Sequence, residues 1–205
     1  MATPIAILLS GRGSNFLAIH AAIERDEVPA EIVLVASNVA DAPGLGKARE
    51  LGLPALAIPH QGIPRRTHDE RIVAALREAG AEWICLAGYM RLLSPDFVAR
   101  FPRRIVNIHP SLLPAFPGLD AQEQALAHGV KVSGCTVHLV DEGLDSGPIV
   151  VQRTVPVLDG DSSHTLAARI LEQEHQAYPE ALRRLLTEPW RVEGRRLLFG
   201  PAPRG

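Results

Sequence analysis

Short apolar runs recur along this chain at 5–9, 32–37, 55–58, 83–87, 105–108, 136–140 and 149–157. Hydrophobicity within them is almost continuous, which predicts strands covered on both faces, as in a parallel sheet. Helical patterns near 14–26, 43–51, 66–79, 94–100 and 120–128 fall between the runs. That alternation predicts a single-domain, doubly wound, Rossmann-like α/β fold with a mostly parallel sheet. Too few residues separate the last two runs for a crossover helix, so the strand at 149–157 is expected to be antiparallel. A long helix over about 162–187 closes the core, capped by Asp161 or Ser162, with a kink or break near Tyr178 imposed by Pro179.

Composition narrows the class of protein. The chain has 205 residues, 46% of them apolar and 21% charged, with a net charge of −2. It is long enough for a full two-faced core, and that charge predicts neither a nucleic-acid partner nor a membrane surface. No apolar stretch approaches the roughly 20 residues a membrane span requires. The run at 5–9 is short for a secretory signal and has no basic segment before it, so a cytoplasmic location is expected. Cys85 and Cys135 sit inside apolar runs, as core thiols of a reducing compartment do. Neither has metal-ligand spacing to a histidine, and no metal is expected.

The first strand ends in LLSGRGSN, residues 8–15, and opens a helix. Gly11 and Gly13 permit tight backbone geometry, and unpaired N–H groups at a helix start attract an anion. Ser14 and Asn15 add side-chain donors. A dinucleotide fingerprint needs a small residue where Phe16 stands, and an acid at the end of the second strand, where Ser37 and Asn38 stand. A Walker A loop needs a lysine after its second glycine, and none follows. The stretch therefore reads as a cradle for one terminal phosphate, the alternative being a βα turn that binds nothing.

A second constellation lies in IVNIHPSLLPAFPG, residues 105–118. Strand alternation puts Asn107 and His109 on one face, at the carboxyl edge where open α/β sheets bind ligands. Pro110 biases His109 toward extended backbone. The loop DEGLDSGP, residues 141–148, supplies Asp141, Glu142 and Asp145. A carboxylate near His109 would couple to the protonation of the ring, and an amide beside it could hold a developing oxyanion. No serine or cysteine sits in an activated setting, so direct acyl transfer to an external nucleophile is expected. A structural histidine and a solvated acidic turn remain the alternatives. The turn also leaves the isomer of the Leu113–Pro114 bond open.

Taken together and in this order, LLSGRGSN, LAGYMRLLSP, NIHPSLLP, FPGL, GCTVHLVDEGLDSGPIV and QEHQAYP resemble the phosphoribosylglycinamide formyltransferase family, a branch of the folate-dependent formyltransferases. The resemblance covers roughly residues 4–186. It implies a formyltransferase domain over 1–188 and a peripheral or flexible tail over 189–205. The implied reaction moves formyl from the cosubstrate 10-formyltetrahydrofolate to the amine of glycinamide ribonucleotide, in a monomer or homodimer. Asn107, His109 and Asp145 match the family's catalytic trio. Gly11, Arg12, Gly13, Ser14 and Asn15 match or adjoin its phosphate loop, and Glu174 matches a glutamate that contacts the ribonucleotide. The folate positions correspond to Arg65, Met90, Arg91, Leu92, Leu93, Asn107, Val140, Asp141, Glu142, Gly143, Leu144 and Asp145. Glu174 has apolar helical neighbours, a costly setting for a carboxylate without a partner; a structural ion pair is the alternative reading.

Two positions depart from the family pattern. Arg12 fills a variable slot, and Asp120 stands where the family usually has histidine. Rival functions are methionyl-tRNA formyltransferase, which usually adds a C-terminal tRNA domain and a basic surface, and formyltetrahydrofolate hydrolase, which normally has an N-terminal regulatory domain. Neither addition is evident in the sequence. A non-catalytic ligand-binding homologue is the reading of a different class.

Overall fold

The computed structural model describes residues 2–201. Among the described residues, nine strands belong to one α/β sheet, and the chain divides after Asn107 into two compact units. In the first unit, strands β1 (Thr3–Leu9), β2 (Ala30–Ser37), β3 (Ala55–Ala57), β4 (Trp83–Leu86) and the start of β5 (Ile105–His109) alternate with helices α1 (Ser14–Glu24), α2 (Pro43–Glu50), α3 (Arg65–Glu78) and α4 (Pro95–Arg100). Their order is β3-β2-β1-β4-β5, and each of these neighbouring pairs is parallel. Parallel strands buried on both faces explain the unbroken apolar runs: Ile5 to Leu9 are wholly buried, as are Ile84 and Cys85.

The second unit holds α5 (Ala121–Ala127), β6 (Val132–Leu139), β7 (Ile149–Pro156), α6 (Ser163–Thr187), β8 (Trp190–Glu193) and β9 (Arg196–Phe199), with strand order β6-β7-β9-β8. β7 is antiparallel to β6, as the short connection predicts. β6 begins four residues ahead of the expected 136, because Ser133 and Gly134 interrupt the apolar pattern without interrupting the pairing. At Gly134 the Arg153 carbonyl leaves no room for a side chain.

α6 runs unbroken through Pro179, so the expected break near Tyr178 does not occur. An interior proline costs about 3 kcal/mol. Against that, Leu166, Ile170, Tyr178 and Leu182 are each fully buried, worth about 1.5–3 kcal/mol apiece, on a helix packed over β6 and β7. Of the two candidate caps, Ser162 is the one used. Its hydroxyl accepts from Thr165 N–H while the Thr165 hydroxyl accepts from Ser162 N–H, closing a capping box. Asp161 instead pairs with Arg169 at 2.7 and 2.8 Å.

Residues 190–199 of the tail fold as a β8–β9 hairpin, turned at Gly194 (φ 59°). β9 joins β7 in parallel through Arg196 and Ile149. The Arg184 guanidinium lies 3.7 Å from the Phe199 ring centroid, and Trp190 Nε1–H donates to the Leu185 carbonyl (3.0 Å).

Candidate active site

The turn after β5 is built by side chains of the two strands that follow it. Thr136 and Gln152 are cross-strand partners. The Thr136 hydroxyl donates to the Ser111 carbonyl (2.7 Å) and accepts from Leu113 N–H (3.0 Å). Gln152 Nε2 donates to the Leu113 carbonyl at 2.9 Å. These bonds hold the turn that contains the cis Leu113–Pro114 bond. Ser111 closes it by donating to the Ala115 carbonyl (2.6 Å).

That turn orients His109, the last residue of β5, which is 5% exposed. Its Nε2 lies 2.8 Å from the Phe116 carbonyl oxygen. A carbonyl only accepts, so this nitrogen carries hydrogen. Nδ1 lies 3.4 Å from Asp145 Oδ2. The same carboxylate oxygen accepts from Gly118 N–H (2.9 Å), and Oδ1 lies 3.7 Å from His138 Nε2. Asp145 thus sits between two imidazoles, held by one backbone amide. Burial acts to raise its carboxyl. The His138 ring beside it, the hydrogen bond from Gly118 N–H and the field of His109 outweigh it and hold the group below the ordinary carboxylate range.

His138 is the residue that sequence reading missed. Its signal was present: Thr136 and His138 are buried polar residues two apart on a largely apolar strand, the same spacing that singled out Asn107 and His109. Asn107 lies two residues before His109 on β5 and is half-buried.

The loop carrying Asp145 is pinned at several points. Asp141 Oδ1 accepts from Gly143 N–H (3.1 Å) and from the Ser146 hydroxyl (2.7 Å). Gly147 packs directly on the Leu139 carbonyl. Arg195, on the C-terminal hairpin, donates to the Ser146 carbonyl (3.0 Å). Glu142 and Leu144 are exposed, Val140 half-buried. Glu174 lies on α6, 7% exposed. Burial, and then the charge of Glu174, push the Cys135 thiol up to about 12, which leaves that cysteine inert. Asp120 is exposed, at the start of α5 in the left-handed region (φ 55°).

The glycine turn belongs to the first unit. Gly13 takes φ 74° immediately before α1 and, having no side chain, offers the helix no side-chain cap. A side chain at Gly13 would stand 3.1 Å from Gly44 Cα. Gly44 N–H in turn donates to the Gly11 carbonyl (3.0 Å). Ser14 is half-buried, Asn15 buried and Arg12 exposed. In the same unit, the Arg65 guanidinium donates to the Leu93 carbonyl and Asp69 accepts from Ser94 N–H (3.0 Å). The start of α3 therefore holds segment 90–93, where Met90 and Leu92 are 70% and 59% exposed and Arg91 is half-buried.

Residues 3–182 match the family model described as formyl transferase. The chain belongs to the formyltransferase family. Phosphoribosylglycinamide formyltransferase from Escherichia coli K12 is 39% identical over 192 residues, spanning 93% of this chain and 88% of that one. The trifunctional purine biosynthetic protein adenosine-3 of Drosophila pseudoobscura pseudoobscura is 52% identical over 182 residues, 87% of this chain. The chain spans only 13% of the length of that protein. Among solved formyltransferase structures, glycinamide ribonucleotide transformylase 1 from Symbiobacterium toebii superposes with a TM-score of 0.94 at 48% identity, covering 97% of this chain and 94% of that one. The fold shared with that structure is the α/β fold expected from the strand alternation. Among the described residues, no helix is long and apolar enough to cross a membrane.

Proposed function

We propose that this enzyme transfers the formyl group of 10-formyltetrahydrofolate to the amine of N1-(5-phosphoribosyl)glycinamide, a step of de novo purine biosynthesis that takes place in the cytoplasm. The observation that carries the reading is the Asp145 carboxylate set between His109 and His138 in a chain matching the formyltransferase model. In the reaction, a C–N bond forms between the formyl carbon and the incoming amine. The bond to the folate nitrogen breaks, and one proton passes from the amine to that nitrogen.

His109 is the proton carrier, since its ring is held between an accepting carbonyl and a carboxylate. Asp145 orients the ring and relays the proton, kept ionised by the groups around it. The Asn107 carboxamide donates to the carbonyl oxygen as it gains charge in the tetrahedral intermediate, an interaction worth about 3–4 kcal/mol in comparable oxyanion sites.

Gly11, Arg12, Gly13, Ser14 and Asn15 take the ribonucleotide phosphate through helix-start amides and side-chain donors. Glu174 accepts from the ribonucleotide. Arg65, Met90, Arg91, Leu92 and Leu93 hold the folate together with Val140, Asp141, Glu142, Gly143 and Leu144. In the first unit, the exposed Met90 and Leu92 side chains offer its rings an apolar surface.

The test is substitution of the paired residues. His109→Ala and Asp145→Ala should each lower kcat by about 10²–10⁴-fold, the usual contribution of a positioned acid or base, with the far-UV circular dichroism of a folded chain retained. Near-wild-type turnover in either variant would remove the mechanism.

A further inference from the structure

We propose that Ser10 is a positioning residue that locks the glycine turn and segment 90–93 into one register, so that both substrates depend on a single hydroxyl. The assignment rests on the proposed function, because that reading gives the two segments their ligands. β1 and β4 pair as far as Leu8 and Leu86. Main-chain bonds continue past that point from Ala87 N–H to the Leu8 carbonyl (2.8 Å) and from Ser10 N–H to the Gly88 carbonyl (3.0 Å). The chain then turns away from β4 into Gly11, and the main-chain ladder ends.

The Ser10 side chain continues it. Its hydroxyl accepts from Met90 N–H at 2.8 Å and donates to Asn38 Oδ1 at 2.5 Å. The Asn38 main-chain carbonyl accepts in turn from His60 Nδ1 at 2.9 Å. One line of hydrogen bonds therefore crosses the carboxyl ends of β4, β1, β2 and β3, four neighbours in the sheet. Asn38 is 3% exposed at the position where a dinucleotide-binding sheet carries its ribose-binding acid. Here it turns inward to Ser10. A hydroxyl both donates and accepts through one atom, so alanine at position 10 would orphan the Met90 amide and the Asn38 oxygen together.

Amide hydrogen exchange on the substrate-free protein, followed by steady-state kinetics, tests this. In Ser10→Ala the Met90 amide should exchange about tenfold faster, the loss expected for one hydrogen bond, with β1 core amides unchanged. KM should rise about three- to tenfold for both the ribonucleotide and the folate, with kcat within about twofold of wild type. Ser10→Thr, which keeps the hydroxyl, should restore both readouts. If alanine unfolds the chain, Ser10→Cys should give the same pattern at smaller amplitude, because a thiol is a weaker donor and acceptor. Unchanged Met90 exchange, a KM effect on one substrate alone, or a kcat loss at constant KM would overturn the proposal. The exchange readout needs no substrate, so it reports on the Ser10 link even if formyl transfer proves to be the wrong reaction.

Discussion

Asp145 adopts φ 48°, a left-handed conformation that costs a non-glycine residue about 1 kcal/mol or more. The loop accepts that strain where it aims a carboxylate at two rings. Because the folded-state carboxyl titrates below the ordinary aspartate value, its interactions stabilise the folded chain above that value. Their contribution is lost as pH falls through the lower, folded-state value. The difference in unfolding free energy between wild type and Asp145→Asn should therefore be present at about pH 5 and shrink below about pH 3. Urea titrations across that range would show it; a difference that stayed constant at acid pH would contradict the assignment. At the other candidate subsite, Asn15→Leu should raise KM for the ribonucleotide with little change for the folate, and unchanged kinetics would remove the phosphate reading.

At the scale of elements, two glycines make opposite predictions. A side chain at Gly147 would collide with the Leu139 carbonyl, its Cβ also lying 3.3 Å from Asp141 N. Gly147→Ala should destabilise the fold by about 2–4 kcal/mol and displace the loop that bears Asp145. Gly46, inside α2, has nothing within 4 Å of its would-be side chain, so Gly46→Ala should stabilise by about 0.5–1 kcal/mol. Guanidinium denaturation of both variants checks the pair. Elements of this kind were largely legible in the sequence. Unbroken apolar runs announce parallel strands, and residues 105–109 announce a strand end bearing an amide and an imidazole. His138 escaped because its polar alternation was hidden among valine, leucine and cysteine. The continuity of α6 escaped because a local rule about proline was outweighed by burial that only tertiary packing supplies.

At the scale of the whole molecule, the alternation of strands and helices carried the fold class, and the joint motifs carried the family. The hairpin at 190–199 was not legible, since Arg191, Arg195 and Arg196 break any apolar period. Its strands are set by pairing to each other and to β7, a long-range fact that no local pattern encodes. The central claim is that this scaffold delivers formyl from a folate to a phosphorylated amine. A single assay with 10-formyltetrahydrofolate, offering glycinamide ribonucleotide, initiator methionyl-tRNA or water alone as acceptor, tests it most directly. Rapid tetrahydrofolate release that requires glycinamide ribonucleotide is the predicted result. Equal release with water, or transfer to the tRNA in its place, would contradict the account.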